Sequence, residues 1–160
     1  GAVYGEKGML VEAIDEFRKA VDVDPTSAEA RFNLGAALIS SGSDEEALPE
    51  LELAVRHSPE NAEARYLLGV ALISKCRFGR ALAELQRVAS LRGETPALAY
   101  HIGTALASLD RLEDAERYLR RAVKGDPEDP AVHYQLGLVL DRLGRNVEAS
   151  DAYRKAGGSA

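Results

Sequence analysis

Residues Ala62 to Leu91 read AEARYLLGVALISKCRFGRALAELQRVASL, and the spacing of apolar residues in this stretch decides the fold. In Ala62 to Lys75, Leu68, Ala71 and Leu72 fall at i, i+3 and i+4, the stripe of one helical face. In Phe78 to Leu91, Ala81, Leu85 and Val88 fall at i, i+4 and i+7 and make a second stripe. Fourteen helical residues span about 21 Å, so the stretch predicts two antiparallel helices joined by a short turn. The small residues Gly69 and Ala81 let the two backbones approach closely. A leucine there would overpack the contact at a cost of about 1–3 kcal/mol.

The pattern repeats outward in both directions with a period of 34 residues. A glycine recurs at Gly1, Gly35, Gly69, Gly103 and Gly137, preceded by Leu34, Leu68, Ile102 and Leu136. An alanine recurs at Ala13, Ala47, Ala81, Ala115 and Ala149. Four residues after each come Phe17, Leu51, Leu85, Leu119 and Tyr153, and three further on Ala20, Ala54, Val88, Ala122 and Ala156. No insertion or deletion breaks the phase, and chance does not hold several positions in register over five cycles. Periods of this length are the mark of stacked supersecondary units.

The punctuation agrees. Ser43 followed by Asp44, Glu45 and Glu46 has the form of a capping box opening a helix. Gly8, Gly42 and Gly144 occupy the inter-helix turn, where a positive φ is easiest as glycine. Cys76 and Asp110 hold the same position and predict a less relaxed turn. Asp24-Pro25, Ser58-Pro59 and Asp126-Pro127 end second helices, because proline lacks the N–H and restricts its predecessor. Arg92-Gly93-Glu94 does so in the remaining cycle. Pro49 falls inside a predicted second helix and should kink it or delay its start. Glu113–Arg117 and Glu116–Arg120 are i,i+4 pairs worth about 0.2–0.5 kcal/mol each.

These positions resemble the tetratricopeptide repeat, a 34-residue helix–turn–helix unit with a Leu-Gly pair, then Ala, an aromatic or Leu, Ala and Pro at fixed spacing. The resemblance covers essentially the whole chain. It implies an all-α fold, a right-handed α-solenoid of helix–turn–helix repeats with a concave groove, three units complete and two partial. The units are 1–27, 28–61, 62–95, 96–129 and 130–160, together one solenoid domain. The early tryptophan frequent in the family is replaced here by Arg31, Arg65, Ala99 and His133.

A second stripe runs along each first helix, offset from the core. It reads Phe32, Ala36, Ile39, then Tyr66, Val70, Ile73, then Tyr100, Thr104, Ala107, then Tyr134, Leu138, Asp141. Four of the nine aromatic residues thus share one position of the repeat, and Ser40, Ser74 and Ser108 set a small hydroxyl beside it. By resemblance this stripe lines the groove, and stacked repeats use such faces for binding. The candidate peptide-binding residues are Phe32, Asn33, Ile39, Tyr66, Val70, Ile73, Tyr100, His101, Thr104 and Tyr134. Taken singly, the same aromatics read first as packing between adjacent first helices; the binding reading gains for the stripe as a surface.

The best-known subtype of the family clamps a C-terminal carboxylate with Lys, Asn and Arg. Here Ala36, Val70 and Thr104 stand where a clamp asparagine would sit, and Phe32 or Tyr66 where a lysine would. Asn33 fits one clamp position. This argues against chaperone tails as ligands and for a protein or peptide with apolar anchors, held extended or as an amphipathic helix. Glu29, Glu60, Glu63, Glu94, Glu128 and Asp129 make the edge mildly acidic. That rim is either solvated, with favourable charges at helix N-termini, or steers a basic peptide.

Composition narrows the functional classes. The 160 residues carry 20 Lys+Arg against 26 Asp+Glu, a net charge of -6, which speaks against a nucleic-acid partner. One cysteine excludes an internal disulfide framework and a thiolate zinc cluster. It is compatible with any compartment, a cytoplasmic one being favoured. Cys76 sits between Lys75 and Arg77, yet no base or resolving cysteine is placed near it by any pattern. His57 lies near a helix C-terminus, while His101 and His133 fall at different repeat positions, without metal-ligand spacing. Arg117, Arg120, Arg121 and Lys124 read as a solvated outer face. No catalytic pattern, phosphate loop, metal or cofactor site is expected. No apolar run approaches the ~20 residues that span a bilayer, so direct membrane insertion is not expected.

The first unit starts at its own glycine, so Gly1 to Lys7 reads as the last half of a first helix. The last ends in Gly157-Gly158-Ser159-Ala160, a flexible tail by composition. The Val147, Ala149 and Tyr153 side is expected to lack a following unit, which allows self-association through uncapped ends or a place within a longer protein. The sequence therefore points to a non-enzymatic interaction scaffold. The alternatives are a structural, self-assembling spacer and an accessory domain of a larger enzyme such as a glycosyltransferase or protease.

Overall fold

The computed structural model describes residues 2–157, with side chains from Glu6 onward. The glycine at position 1 and the tail residues 158–160 therefore lie outside the described residues. Nine helices and no strands are found among those described, and they fall into two compact units, residues 1–77 and 78–160. The first unit holds α1 (Ala2–Val23), α2 (Ala28–Ser40), α3 (Asp44–His57) and α4 (Ala62–Ser74). The second holds α5 (Phe78–Arg92), α6 (Pro96–Ser108), α7 (Leu112–Gly125), α8 (Pro130–Arg142) and α9 (Asn146–Ala156). Within each unit every helix packs on the one before it, the stacking of an all-α solenoid.

The periodic positions are the core. Leu68, Ala71, Leu72, Ala81, Leu85 and Val88 are all buried, as are Leu34, Leu51, Ala54, Ile102, Leu119 and Ala122. The recurring glycine sets how close a helix pair comes. A Cβ on Gly35 would lie 2.7 Å from Leu51 Cγ, and one on Gly103 2.8 Å from Leu119 Cγ. On Gly137 it would meet the Tyr153 ring at 2.6 Å. These distances are far inside van der Waals contact, so the position tolerates only hydrogen.

The turns between helices of a pair close alike. Backbone N–H groups of Ser43, Arg77, Arg111 and Arg145 donate to the carbonyls of Leu38, Leu72, Leu106 and Leu140 at 2.8–2.9 Å. This six-to-one bond needs a left-handed residue just before it. Gly42 and Gly144 supply it at φ 80°, while Cys76 and Asp110 are forced to φ 58° and 62°. Second helices end where the sequence placed their stops: α1 at Val23, α3 at His57, α5 at Arg92 and α7 at Gly125.

Five local expectations are corrected. Gly8 forms no turn: α1 runs unbroken for 22 residues from Ala2, so residues 2–7 are not a separate half-helix. One glycine inside a helix costs only about 1 kcal/mol, so Gly8 does not by itself stop α1. The Ser43 side chain caps no backbone N–H; its hydroxyl instead accepts from Ser41 Oγ at 3.1 Å. Pro49 does not delay α3, which starts upstream at Asp44 and passes through the exposed proline. Arg117 pairs with Asp114 one turn back rather than with Glu113, whereas Glu116 and Arg120 do pair, at 2.9 Å. Of the side expected to lie open on α9, only Val147 is exposed, at 86%. Ala149 is buried, and Tyr153 lies half-buried against Gly137.

Candidate functional site

First helices begin with a repeated device. Side chains of Ser27, Asn61 and Thr95 accept from the N–H three residues on, those of Ala30, Ala64 and Leu98, at 3.1–3.2 Å. Asp129 accepts from Ala131 N at 3.0 Å. These four caps are 34 residues apart and fix where each first helix starts, and so which residues face outward.

In the first unit, α2 and α4 are neighbours. Phe32, Asn33 and Ile39 on α2 and Tyr66, Val70 and Ile73 on α4 are all half-buried, in contrast to the buried stripe on the same helices. In the second unit, α6 and α8 are neighbours, and Tyr100, His101 and Thr104 on α6 are again half-buried. Tyr134 on α8 is 52% exposed. Ala107, included in the stripe by its spacing, is buried instead and belongs to the core of α6. Ser40, Ser74 and Ser108 are exposed at the last residue of their helices.

The second unit shows this surface in most detail. The rings of Tyr100 and His101 meet edge to face, centroids 5.1 Å apart. Burial pushes the His101 imidazole below its usual pKa and favours the neutral ring. Thr104 Oγ1 donates to the Tyr100 carbonyl at 2.9 Å, so this hydroxyl is tied to its own helix. Pro96, Ala97, Tyr100, His101, Asp126, Asp129 and Val132 line a cavity of about 230 Å³. Further along, Tyr134 tilts against Tyr153 at 5.8 Å, and Tyr153 Oη donates to Asp141 Oδ2 at 2.7 Å. Pro130, Ala131, these two tyrosines, Ala156 and Gly157 line an apolar recess of about 550 Å³.

The acidic edge is partly committed. Glu94 accepts from Arg121 at 3.1 Å and Asp129 caps α8, whereas Glu29, Glu60, Glu63 and Glu128 are exposed. The basic run on α7, Arg117, Arg120, Arg121 and Lys124, is exposed as expected, and its arginines are also paired: Arg117 with Asp114, Arg120 with Glu116 and Glu148, Arg121 with Glu94. Among the described residues no group of three or more His, Cys, Asp or Glu is placed to hold a metal ion. No described helix is long and apolar enough to cross a membrane.

One structural position beside this surface is not evident from the sequence. The residues standing in for the early tryptophan clamp the preceding loop. Arg31 Nε donates to Pro25 O at 3.2 Å, Arg65 Nε to Pro59 O at 2.9 Å and His133 Nε2 to Pro127 O at 2.6 Å. Ala99 cannot donate, and its unit is the one with Gly93 in place of proline. The same position also selects a partner 19 residues on. Arg31 Nη1 donates to Glu50 Oε2 at 2.7 Å, a largely buried ion pair. Ala99 is matched with Tyr118, whose ring packs against the cluster of Ala99, Ala122 and Val132. The matched variation at an offset of 19 was present in the sequence as the only signal.

Comparison with known proteins agrees with this geometry. Family models of the tetratricopeptide repeat match residues 1–42, 45–102 and 100–159. No curated protein matches the sequence. A crystal structure of MamA is 25% identical over 94% of this chain and 88% of its own, with a TM-score of 0.82. MamA residues 41 to the end from Desulfovibrio magneticus RS-1 are 22% identical over 94% and 85%, with a TM-score of 0.85, a likeness of fold. YrrB, described as a tetratricopeptide repeat protein with an unusual peptide-binding site, is 26% identical over 90% and 74%, with a TM-score of 0.74.

Proposed function

Since the chain belongs to the tetratricopeptide repeat family, a family of protein-interaction scaffolds, we propose that it is a non-enzymatic scaffold. It holds a partner peptide or helix on the outward stripe of its first helices. The observation that carries this reading is the half-buried, largely apolar character of that stripe in both units. A solvated face would be polar at these positions, and a core would be closed. Each unit offers its own anchor positions, Phe32, Ile39, Tyr66, Val70 and Ile73 in the first and Tyr100 and Tyr134 in the second. Asn33, His101 and Thr104 lie beside them to meet main-chain polar groups. YrrB, similar in fold and described by its own peptide-binding site, supports peptide binding as the class of activity.

The test is a peptide selected from a random phage-displayed library on the wild-type protein. Its affinity is then measured for Tyr66→Asp with Ile73→Asp, and for Tyr100→Asp with Tyr134→Asp. At least one double variant, folded by circular dichroism, should bind ten-fold or more weakly. Unchanged affinity in both would overturn the reading.

A further inference from the structure

A different face of α8 carries a second feature, built by the position just described. A groove of about 670 Å³ lies over α8 between α7 and α9. Its floor is His133, Leu136 and Leu140 with Val123 and Ala152, and its rim includes Arg120, Glu148, Asp151, Arg154 and Lys155. One substitution within the repeat falls in this groove. Ala152 occupies the position that Tyr118 holds one unit earlier and Glu50 three units earlier. Glu50 reaches Arg31, and Tyr118 fills the space left by Ala99. In the last unit His133 is drawn to Pro127 O and is buried, and Ala152 places only a methyl group where Tyr118 has a ring.

We infer that this groove takes an aromatic side chain, a tyrosine or phenylalanine, from a segment of a partner protein. The molecule supplies its own precedent. Tyr118 packs on an apolar floor with the Arg121 guanidinium 4.7 Å above its ring. The matching position in the last unit is Lys155, which lines the groove. An incoming ring thus finds both parts of the Tyr118 setting, an apolar floor and a cation for its π face. The rim favours an uncharged ring over an anion, since its basic side chains already face carboxylates. Arg120 contacts Glu148, and Arg154 and Lys155 contact Asp151.

The probe is N-acetyl-L-tyrosinamide, titrated into the full chain and followed by ¹H–¹⁵N correlation spectra. Saturable shifts are expected at His133, Val147 and Ala152, with weaker binding of N-acetyl-L-leucinamide. Ala152→Tyr supplies the ring from within and should abolish the shifts. Lys155→Ala, on the exposed rim, should weaken binding at least three-fold without loss of fold. Absent or scattered shifts in the wild type overturn the proposal. So do equal binding of the leucine analogue, shifts that persist in folded Ala152→Tyr, and an unaltered affinity in Lys155→Ala.

Discussion

At the scale of single residues, Tyr153 shows how one side chain serves the fold and the surface together. Its ring replaces the usual leucine against Gly137, and its hydroxyl reaches across to Asp141. Desolvation, the bond to Asp141 and the charge of that carboxylate push the phenol up to about 12, from an ordinary 10.0. The folded state therefore binds this proton more tightly than the unfolded chain does. Its contribution to stability is complete below pH 10 and is lost as pH rises from 10 to 12. Ultraviolet titration should show one of the six tyrosines ionising later than the rest. Asp141→Asn should bring that step toward the others. A superimposable curve for the variant would show that Asp141 does not hold the proton.

At the scale of the element, the helix–turn–helix unit was legible because its strongest determinants are local and periodic. Leu68, Ala71 and Leu72 announce a buried stripe, Gly35 and Gly103 a close approach, and Pro25 or Pro59 a stop. Each acts through sterics that any copy of the unit shares. What stayed hidden depended on partners elsewhere in the chain. Gly8 looks like Gly42 in the sequence, but only Gly42 takes the left-handed φ of a turn, and glycine permits that conformation without imposing it. Arg31, Ala99 and His133 look like drift at one position until Glu50, Tyr118 and Ala152 are placed opposite them. The candidate stripe was legible as positions, and Ala107 was misplaced because spacing alone does not locate the edge of a core. The cap at Asn61 rests on one side chain and the Ala64 N–H, a weaker sequence signal than Ser43 with its acidic followers, although Ser43 makes no such bond.

The turns offer a test at this scale. Cys76 is held at φ 58°, where a side chain costs about 1–2 kcal/mol and glycine does not, though glycine adds about 0.5–1 kcal/mol of chain entropy. Cys76→Gly should therefore stabilise the protein by up to about 1 kcal/mol, visible as a higher midpoint in chemical denaturation. Asp110→Gly should gain less, because Asp110 accepts from Arg142 at 2.7 Å and that pair would be lost. A lower midpoint for Cys76→Gly would show that the cysteine side chain is needed in its turn.

At the scale of the whole molecule, a repeat array has no single centre, and each unit's core is completed by its neighbours. Ala47, Leu51 and Ala54 are fully buried, as are Ala115, Leu119 and Ala122, because their helices are covered on that side. The same positions on α1 differ: Ala13 and Phe17 are half-buried and Ala20 is exposed. Met9 and Val11 are 72% and 60% exposed on the same helix. An apolar surface of this kind associates with its like when nothing else covers it. Light scattering on a size-exclusion column should accordingly give a mass that climbs above 17.2 kDa as concentration rises. Met9→Glu with Val11→Glu should hold it near the monomer value, because burying two carboxylates at the contact is unfavourable. This outcome separates the spacer reading from the scaffold reading, since neither substitution touches the stripe from Phe32 to Tyr134. Peptide binding that survives in a strictly monomeric variant assigns the two properties to different surfaces. Equal association of variant and wild type would place the contact away from α1.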